Sequence, residues 1–304
     1  MEYSNLPRLD EWAALCAVVE RGGVEAAADK LHIGQPAVTK RLRALDKTYG
    51  VPLMERVSGR LRLTAAGEKV YLLAIQTLER QAALYQELQD QIRGLTSMRL
   101  EVTSSVGEHL LPELLLKFSE RYPQFRINSR MNYSRTIQSH LDSGITDLAL
   151  METAPNHPDI LVQPWADDEL WLVCGKKHSL AGTEMIPVEQ LTQLSYVLRE
   201  KNSSTRDEFD KALHNIGIDP IHIALEVGST DTIVNILRRG QHVSFLPRFA
   251  VYEDVQTGEL FHIKVMGFRI MRTLWIARNK KHLDHPVAEA FVGMVKGASV
   301  GELL

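Results

Sequence analysis

Between Gly34 and Gly50 the sequence GQPAVTKRLRALDKTYG sets amide, hydroxyl and cationic side chains at a spacing suited to a groove lined with phosphates and base edges. At the roughly 100° per residue of an α-helix, Gln35, Pro36, Thr39, Lys40, Arg43 and Lys47 share a sector of about 140°. Val38, Leu42, Leu45 and Tyr49 fall within about 60° on another side. The polar sector has almost no acid along its length. Gly34 or Gln35 can cap such a helix, which puts Pro36 in the first turn, where its missing N–H costs nothing; Gly50 stops it. Taken alone, the stretch fits a solvated amphipathic helix equally well, so its flanks must decide.

The surrounding charge favours phosphate. Residues 30–62 carry eight Lys and Arg (Lys30, Lys40, Arg41, Arg43, Lys47, Arg56, Arg60, Arg62) against two acids, Asp46 and Glu55. The whole 304-residue chain has a net charge of −3, and residues 95–304 hold 22 basic and 26 acidic residues. Basic charge is therefore gathered at one end, as nucleic-acid binding requires.

The elements that position this face can be read from periodicity and turn residues. Leu9 to Glu20 is predicted as an amphipathic helix, with Leu9, Trp12, Ala13, Cys16 and Val19 on one side. Arg21-Gly22-Gly23 ends it, and Val24 to Leu31 forms a short Ala-rich helix. His32-Ile33-Gly34 is a tight turn into the basic helix, which gives a helix-turn-helix with the basic helix second. Beyond Gly50, Ser58-Gly59 turns between two short extended pieces bearing Arg56, Arg60 and Arg62, a β wing that could lay arginine against phosphate or in a minor groove.

The run AAADKLHIGQPAVTKRLRALDKTYGVPLMERVSGRLRLTAAG resembles the N-terminal signature of the LysR-type transcriptional regulators, over about forty consecutive residues with matching spacing. The resemblance implies a winged helix-turn-helix that binds promoter or operator DNA as a homodimer or homotetramer. It differs in one place: members usually carry a small hydroxyl residue just before the Gln-Pro, where this chain has Gly34. Glycine still caps, but one hydroxyl is lost from the side that would face DNA. The site residues expected for DNA are Gln35, Thr39 and Arg43 on base edges, Pro36 in apolar contact, Lys40 and Arg41 on the backbone, and Arg56 and Arg60 in the wing.

From Thr64 to about Arg93 a long helix is predicted. Tyr71, Ala74, Leu78, Gln81, Tyr85, Leu88, Ile92 and Leu95 recur at alternating spacings of three and four, a heptad seam suited to pairing with a second copy. A helix packed on its own domain would leave a similar trace. Beyond Gly94 the character changes to alternating strands and helices: a strand at Leu100–Ser105, a helix from Gly107 to Pro123, a strand from Phe125, a helix at Thr136–Ser143 and a buried strand at Asp147–Met151. A similar unit recurs from Ile223 to Pro247, and the chain ends in strands and a helix near Pro286–Val295. This pattern predicts parallel α/β sheet in two lobes enclosing a cleft, which resembles the periplasmic-binding-protein-like effector domain of the same family. The expected domains are residues 1–65 (DNA-binding), 66–95 (linker helix) and 96–304 (effector-binding).

Ligands of such sheets bind at the carboxyl ends of strands and at helix N-termini. The candidate effector residues are Ser104 and Ser105, Ser134 in the Asn132-Tyr133-Ser134 loop, Glu152 and Thr153, Ser203, Thr205 and Arg206 in the polar stretch 199–206, and Ser229 in Gly228-Ser229-Thr230. Hydroxyls, backbone N–H groups and an arginine hold oxyanions, so a small anionic effector is expected. The stretch 199–206 resembles that of family members sensing sulfur oxyanions or phosphorylated metabolites. The competing expectation is structural, because Ser and Thr commonly cap helices and Thr205 with Glu208 reads as a capping box.

No nucleotide-binding glycine loop, nucleophile elbow or metal-ligand spacing is present, so neither enzyme chemistry nor a cofactor is expected. His282 and His285 lack a third ligand nearby. Cys16 and Cys174 read as packing residues. Without a secretion signal or a membrane-length apolar run, the expected setting is the cytoplasm, away from membranes. A solute-binding protein, or an enzyme with an accessory DNA-binding head, remains the alternative from another class.

Overall fold

The computed structural model describes residues 6–218 and 221–297, with the backbone alone at His282. The chain divides into two compact units, Met1–Gln89 and Asp90–Leu304.

In the first unit, helices α1 (Leu9–Arg21), α2 (Val24–Leu31) and α3 (Gln35–Tyr49) pack around Ala14, Ala17, Val18, Ala27, Ala28 and Val38. Alanines at the crossings let the short helices approach closely. A second cluster, Leu15, Leu45, Leu53 and Val70, ties α1 and α3 to the chain beyond Gly50. Each such side chain contributes on the order of 1.5–3 kcal/mol when fully buried. Gly50 closes α3 at φ 71°, a left-handed conformation that would strain a side chain. Strands β1 (Met54–Val57) and β2 (Arg60–Leu63) form the wing, with Val57 opposite Arg60 and Glu55 opposite Arg62. Ser58 and Gly59, at φ 52° and 80°, make the tight turn whose twist suits a two-residue hairpin. Helix α4 (Ala65–Ile92) comes next, its first turn capped by the Thr64 hydroxyl accepting from Gly67 N–H at 3.0 Å. Gly67 permits a close approach, since a Cβ there would lie 1.9 Å from the Leu53 carbonyl oxygen.

The second unit begins with β3 (Thr96–Val102), α5 (Ser104–His109), α6 (Leu111–Arg121), β4 (Phe125–Met131), α7 (Ser134–Ser143) and β5 (Leu148–Met151). A long strand, β6 (Ile160–Gly175), leads to β7 (Met185–Ile186), β8 (Ser195–Arg199), α8 (Ser204–Asn215), β9 (His222–Val227), α9 (Thr230–Arg239) and β10 (Val243–Pro247). It closes with α10 (Arg248–Gln256), β11 (Leu260–Val265), β12 (Ile270–Asn279) and α11 (Pro286–Gly297). The sheet runs β4-β3-β5-β12-β6-β10-β8-β9, with β11 on β6 and β7. Pairings β3–β4, β3–β5, β8–β9 and β8–β10 are parallel. The first half of β6 pairs antiparallel with β12, and its second half with β10 and β11. Strands β6 and β12 therefore join two α/β lobes, one around β3–β5 and one around β8–β10. Met98, Leu114, Phe118 and Phe291 fill the first, and Tyr196, Phe209 and Phe245 the second.

Several element bounds differ from expectation. The strand predicted to reach Ser105 stops at Val102, and Ser104-Ser105 open α5. The helix predicted from Gly107 is two helices meeting at Leu110, with Pro112 in the first turn of the second, where proline is tolerated. Helix α10 and the first half of β6 were not legible. Pro164 lies opposite Trp275 beside a bulge in β6 at Trp165, where a missing ladder donor is tolerated.

Candidate nucleic-acid interface and interlobe cleft

Helix α3 turns Val38 and Leu45 into the core and leaves Gln35, Pro36, Lys40, Arg43 and Lys47 exposed, with Thr39 half-buried between them. Tyr49, at its far end, accepts a hydrogen bond from Trp12 Nε1 at 3.3 Å, which fixes α3 against α1. Arg41 is not a free cation: its guanidinium pairs with Asp10 of α1 at 3.1 Å. In the wing, cross-strand partners share a face, so Arg60 and Arg62 lie with Glu55 and Val57 on one face. Arg56 lies on the other, with Met54, Leu61 and Leu63, although all three arginines are exposed. The two expected wing contacts thus point to opposite sides of the ribbon.

The heptad seam is divided. Ala74 is fully buried and Tyr71 packs beside Leu15 and Leu45, so this end of the seam serves the chain's own head. Further along, Leu84, Tyr85, Leu88 and Ile92 are exposed, as is Leu73. At 100° per residue these five, with Thr77 and Gln81, cover about 120° of α4. The exposed apolar stripe is therefore rotated from the predicted seam at its N-terminal end.

In the second unit, helices α5, α7 and α8 begin against one small cavity lined by Thr103, Ser104, Ser105, Tyr133, Ser134, Glu152, Arg199, Ser203 and Ser204. It leaves about 10 Å³ open to a sphere of water size, roughly room for one water. Hydrogen bonds cross it from lobe to lobe. Ser134 and Ser204 hydroxyls are 2.8 Å apart, Tyr133 OH donates to Glu200 Oε1 at 3.1 Å, and Arg199 Nη1 donates to Ser105 Oγ at 3.5 Å. Arg199 also donates to Thr230 Oγ1 at 3.1 Å and clasps Glu200 through Nε and Nη2. Burial pushes Glu200 up, but hydrogen bonds from Arg199 and Tyr133, with the Arg199 charge, outweigh it and hold its pKa below the usual carboxylate range.

Capping was the competing explanation for these serines, and the hydrogen bonds discriminate. Ser229 is a cap: its hydroxyl accepts from Thr232 N–H at 3.4 Å. At α7 and α8 the N-cap residues are Tyr133 and Ser203, and neither makes a side-chain cap bond. The capping box expected of Thr205 and Glu208 is absent, because the helix starts earlier and Thr205 Oγ1 instead accepts from Arg272 Nη1 at 3.2 Å.

Of the predicted effector residues, Ser104, Ser105, Ser134, Glu152 and Ser203 line the cavity. Thr153, Thr205, Arg206 and Ser229 are not among its lining residues. Arg206 is committed within the second lobe, to Asp210 at 2.8 Å, Glu226 at 3.3 Å and the Arg199 carbonyl at 3.0 Å. The guanidinium facing the cavity belongs to Arg199, inside the stretch the sequence marked but seven residues earlier than the one chosen. A rule of strand-end position would have found it, since Arg199 is the last residue of β8.

Behind the cavity, Arg272 reaches from β12 to Asp168 on β6 at 2.8 Å and to Glu152 at 3.8 Å, with its guanidinium 5.7 Å above the Phe249 ring. Burial pushes Asp168 up despite Arg272. Glu152 Oε2 and Thr103 Oγ1, both buried at the cavity, find no hydrogen-bond partner among the described residues. Cys16 and Cys174 are buried free thiols, pushed up by desolvation to about 12 and about 11. The His282 side chain lies outside the described residues. No described helix is long and apolar enough to cross a membrane.

Comparison with known proteins agrees with this arrangement. Residues 9–68 match the family model for bacterial regulatory helix-turn-helix proteins of the lysR family, and residues 89–299 match the LysR substrate binding domain. A relative in Escherichia coli K12, the HTH-type transcriptional regulator YeiE, is 29% identical over 269 residues, covering 88% of this chain and 90% of its own. The fold resembles that of full-length CbnR complexed with its target DNA, at a TM-score of 0.71 and 22% identity, covering 95% of this chain and 99% of that one. The second unit resembles the regulatory domain of Synechocystis PCC6803 CcmR in complex with 2-PG, at a TM-score of 0.60 and 24% identity, covering 66% of this chain and 96% of that domain. With its winged helix-turn-helix head and two-lobed α/β domain, the chain belongs to the LysR family and is a transcriptional regulator rather than an enzyme.

Proposed function

We propose that this regulator reads operator DNA as a homo-oligomer and is controlled by a small anionic effector held between its two α/β lobes. Residues 1–65 serve as the DNA-binding head, 66–95 as the linker and 96–304 as the effector domain. Gln35, Thr39 and Arg43 meet base edges, Pro36 makes apolar contact, and Lys40 meets phosphate. Arg41 reaches phosphate from its pairing with Asp10, while Arg56 and Arg60 serve opposite sides of the wing. The exposed stripe of α4 joins two copies and brings two recognition helices to two half-sites. This chemistry belongs in the cytoplasm, where DNA is met.

One observation carries the effector reading: the starts of α7 and α8 face each other across the cleft with no side-chain caps. Their first N–H groups and the hydroxyls of Ser134, Ser203 and Ser204 form an oxyanion cradle. Arg199 is clasped by Glu200, so the backbone dipoles supply the attraction. CcmR, solved with 2-PG, and CbnR, solved with its target DNA, are the precedents for the two kinds of ligand. An anion entering between Ser134 and Ser204 replaces their mutual bond, shifts lobe closure and so biases the DNA-bound state. A thermal-shift screen of small anions on the full chain tests this. Stabilisation that Ser204→Ala weakens is expected; a screen in which no small anion raises Tm overturns it.

A further inference from the structure

The cleft holds one group that a simple anion site would not contain. Glu152 stands at the end of β5 with its side chain only 2% exposed. It lines the same cavity as Ser104, Ser134 and Ser203. Arg272 lies 3.8 Å from Oε1, too far for a hydrogen bond, and Oε2 has no hydrogen-bond partner among the described residues. A buried carboxylate oxygen without a donor is costly, and an oxyanion oxygen brought against it adds lone-pair and charge repulsion. A proton between the two oxygens reverses the sign: the contact becomes a short, charge-assisted hydrogen bond.

We infer that Glu152 makes the cleft selective for oxyanions that carry their own O–H donor, and rejects aprotic ones. This inference rests on the small-anion reading of the cleft. The serines and helix N–H groups donate to the deprotonated oxygens, and Glu152 accepts from the protonated one. Beside Arg272, Glu152 Oε2 offers an acceptor where the serines and N–H groups offer donors, so the wall reads the one property that they cannot. Hydrogen phosphate and hydroxy acids fall in the favoured class, and sulfate, which holds no proton near neutrality, in the rejected one.

Inorganic phosphate and sulfate are the probes, titrated separately into the full chain at pH 7 and matched ionic strength, with Tm and calorimetry as readouts. Phosphate is expected to bind at least about 10-fold more tightly than sulfate. Glu152→Gln, which offers an N–H in place of one oxygen, is expected to narrow the ratio to about 2-fold or reverse it. Should Glu152→Gln not fold, Glu152→Asp, which withdraws the carboxylate by one methylene, is expected to narrow it as well. Equal binding of both anions by the native chain, or an unchanged ratio in the folded variant, overturns the inference while leaving the anion cleft intact. Binding of neither anion by the native chain overturns the inference, and the wider screen of small anions then decides the anion cleft.

Discussion

Ser134 and Ser204 belong to different lobes, yet their hydroxyl oxygens are 2.8 Å apart at the starts of two facing helices. Either can donate, so the pair is a neutral contact, and under the proposed function a ligand with better acceptors is expected to displace it. Ser134→Ala removes one hydroxyl and leaves the other facing the cavity. The expected cost to stability is small, about 0.5–1.5 kcal/mol, but anion affinity falls by about 10-fold. Calorimetric titration of the folded variant checks this, and an unchanged affinity would place the ligand elsewhere.

The recognition helix separates two kinds of contact. Arg43→Ala and Thr39→Ala are expected to relax sequence preference, each by about 1–3 kcal/mol at the base position concerned. Lys40→Ala is expected to weaken binding to all sequences alike and reduce the salt slope by about 1. Gel shifts on operator and scrambled DNA across a salt series distinguish them. Because Arg41 is held by Asp10, Asp10→Asn is expected to alter DNA affinity without altering preference.

The exposed stripe of α4 predicts where oligomers break. Leu88→Glu, on the exposed face, should dissociate the oligomer in sedimentation while leaving the head folded. Ala74→Glu, in the buried part of the same helix, should instead unfold the head, since a charge there has no partner and no room.

The closure of the cleft should depend on pH. Glu200, clasped by Arg199 and Tyr133, has a folded pKa below its unfolded one. Its contribution to stability is therefore fully present above the unfolded value, about 4.3, and is lost as pH falls through the lower folded value. Tm of the native chain should exceed that of Glu200→Gln at pH 7, and the difference should shrink steadily below about pH 4. A difference that grows on acidification would contradict the assignment.

Both thiols should be inert in the folded chain. Burial raises Cys16 and Cys174 well above the usual thiol range, so little thiolate exists to react. Labelling by a thiol-specific disulfide reagent should be at least about 100-fold slower than in denaturant, and peroxide should leave DNA binding unchanged.

Most of the first unit was legible because its signals are local. The 3.6-residue spacing of Val38, Leu42 and Leu45, the Pro36 start, the Gly50 stop and the Ser58-Gly59 turn each act within a few residues. The alternation of strands and helices likewise announced the α/β lobes. The first half of β6 escaped notice for a non-local reason: it exists as a strand only because β12 lies beside it.

What the sequence could not decide is which of several similar residues face each other across long separations. It marked the stretch 199–206 and the serines at the starts of α5, α7 and α8, and it identified Gln35, Thr39, Lys40 and Arg43 as outward-facing. Strand register and helix phase then turned Arg199 to the cavity and Arg206 away from it, to Asp210 and Glu226. They also brought Ser134 to Ser204, seventy residues apart, and left Glu152 Oε2 in the same cavity without a donor among the described residues. Helix starts and charge segregation are set by neighbours in the chain, so one sequence suffices to read them. A cleft is set by the packing of two lobes, where a single residue's shift in phase exchanges a ligand group for a structural one.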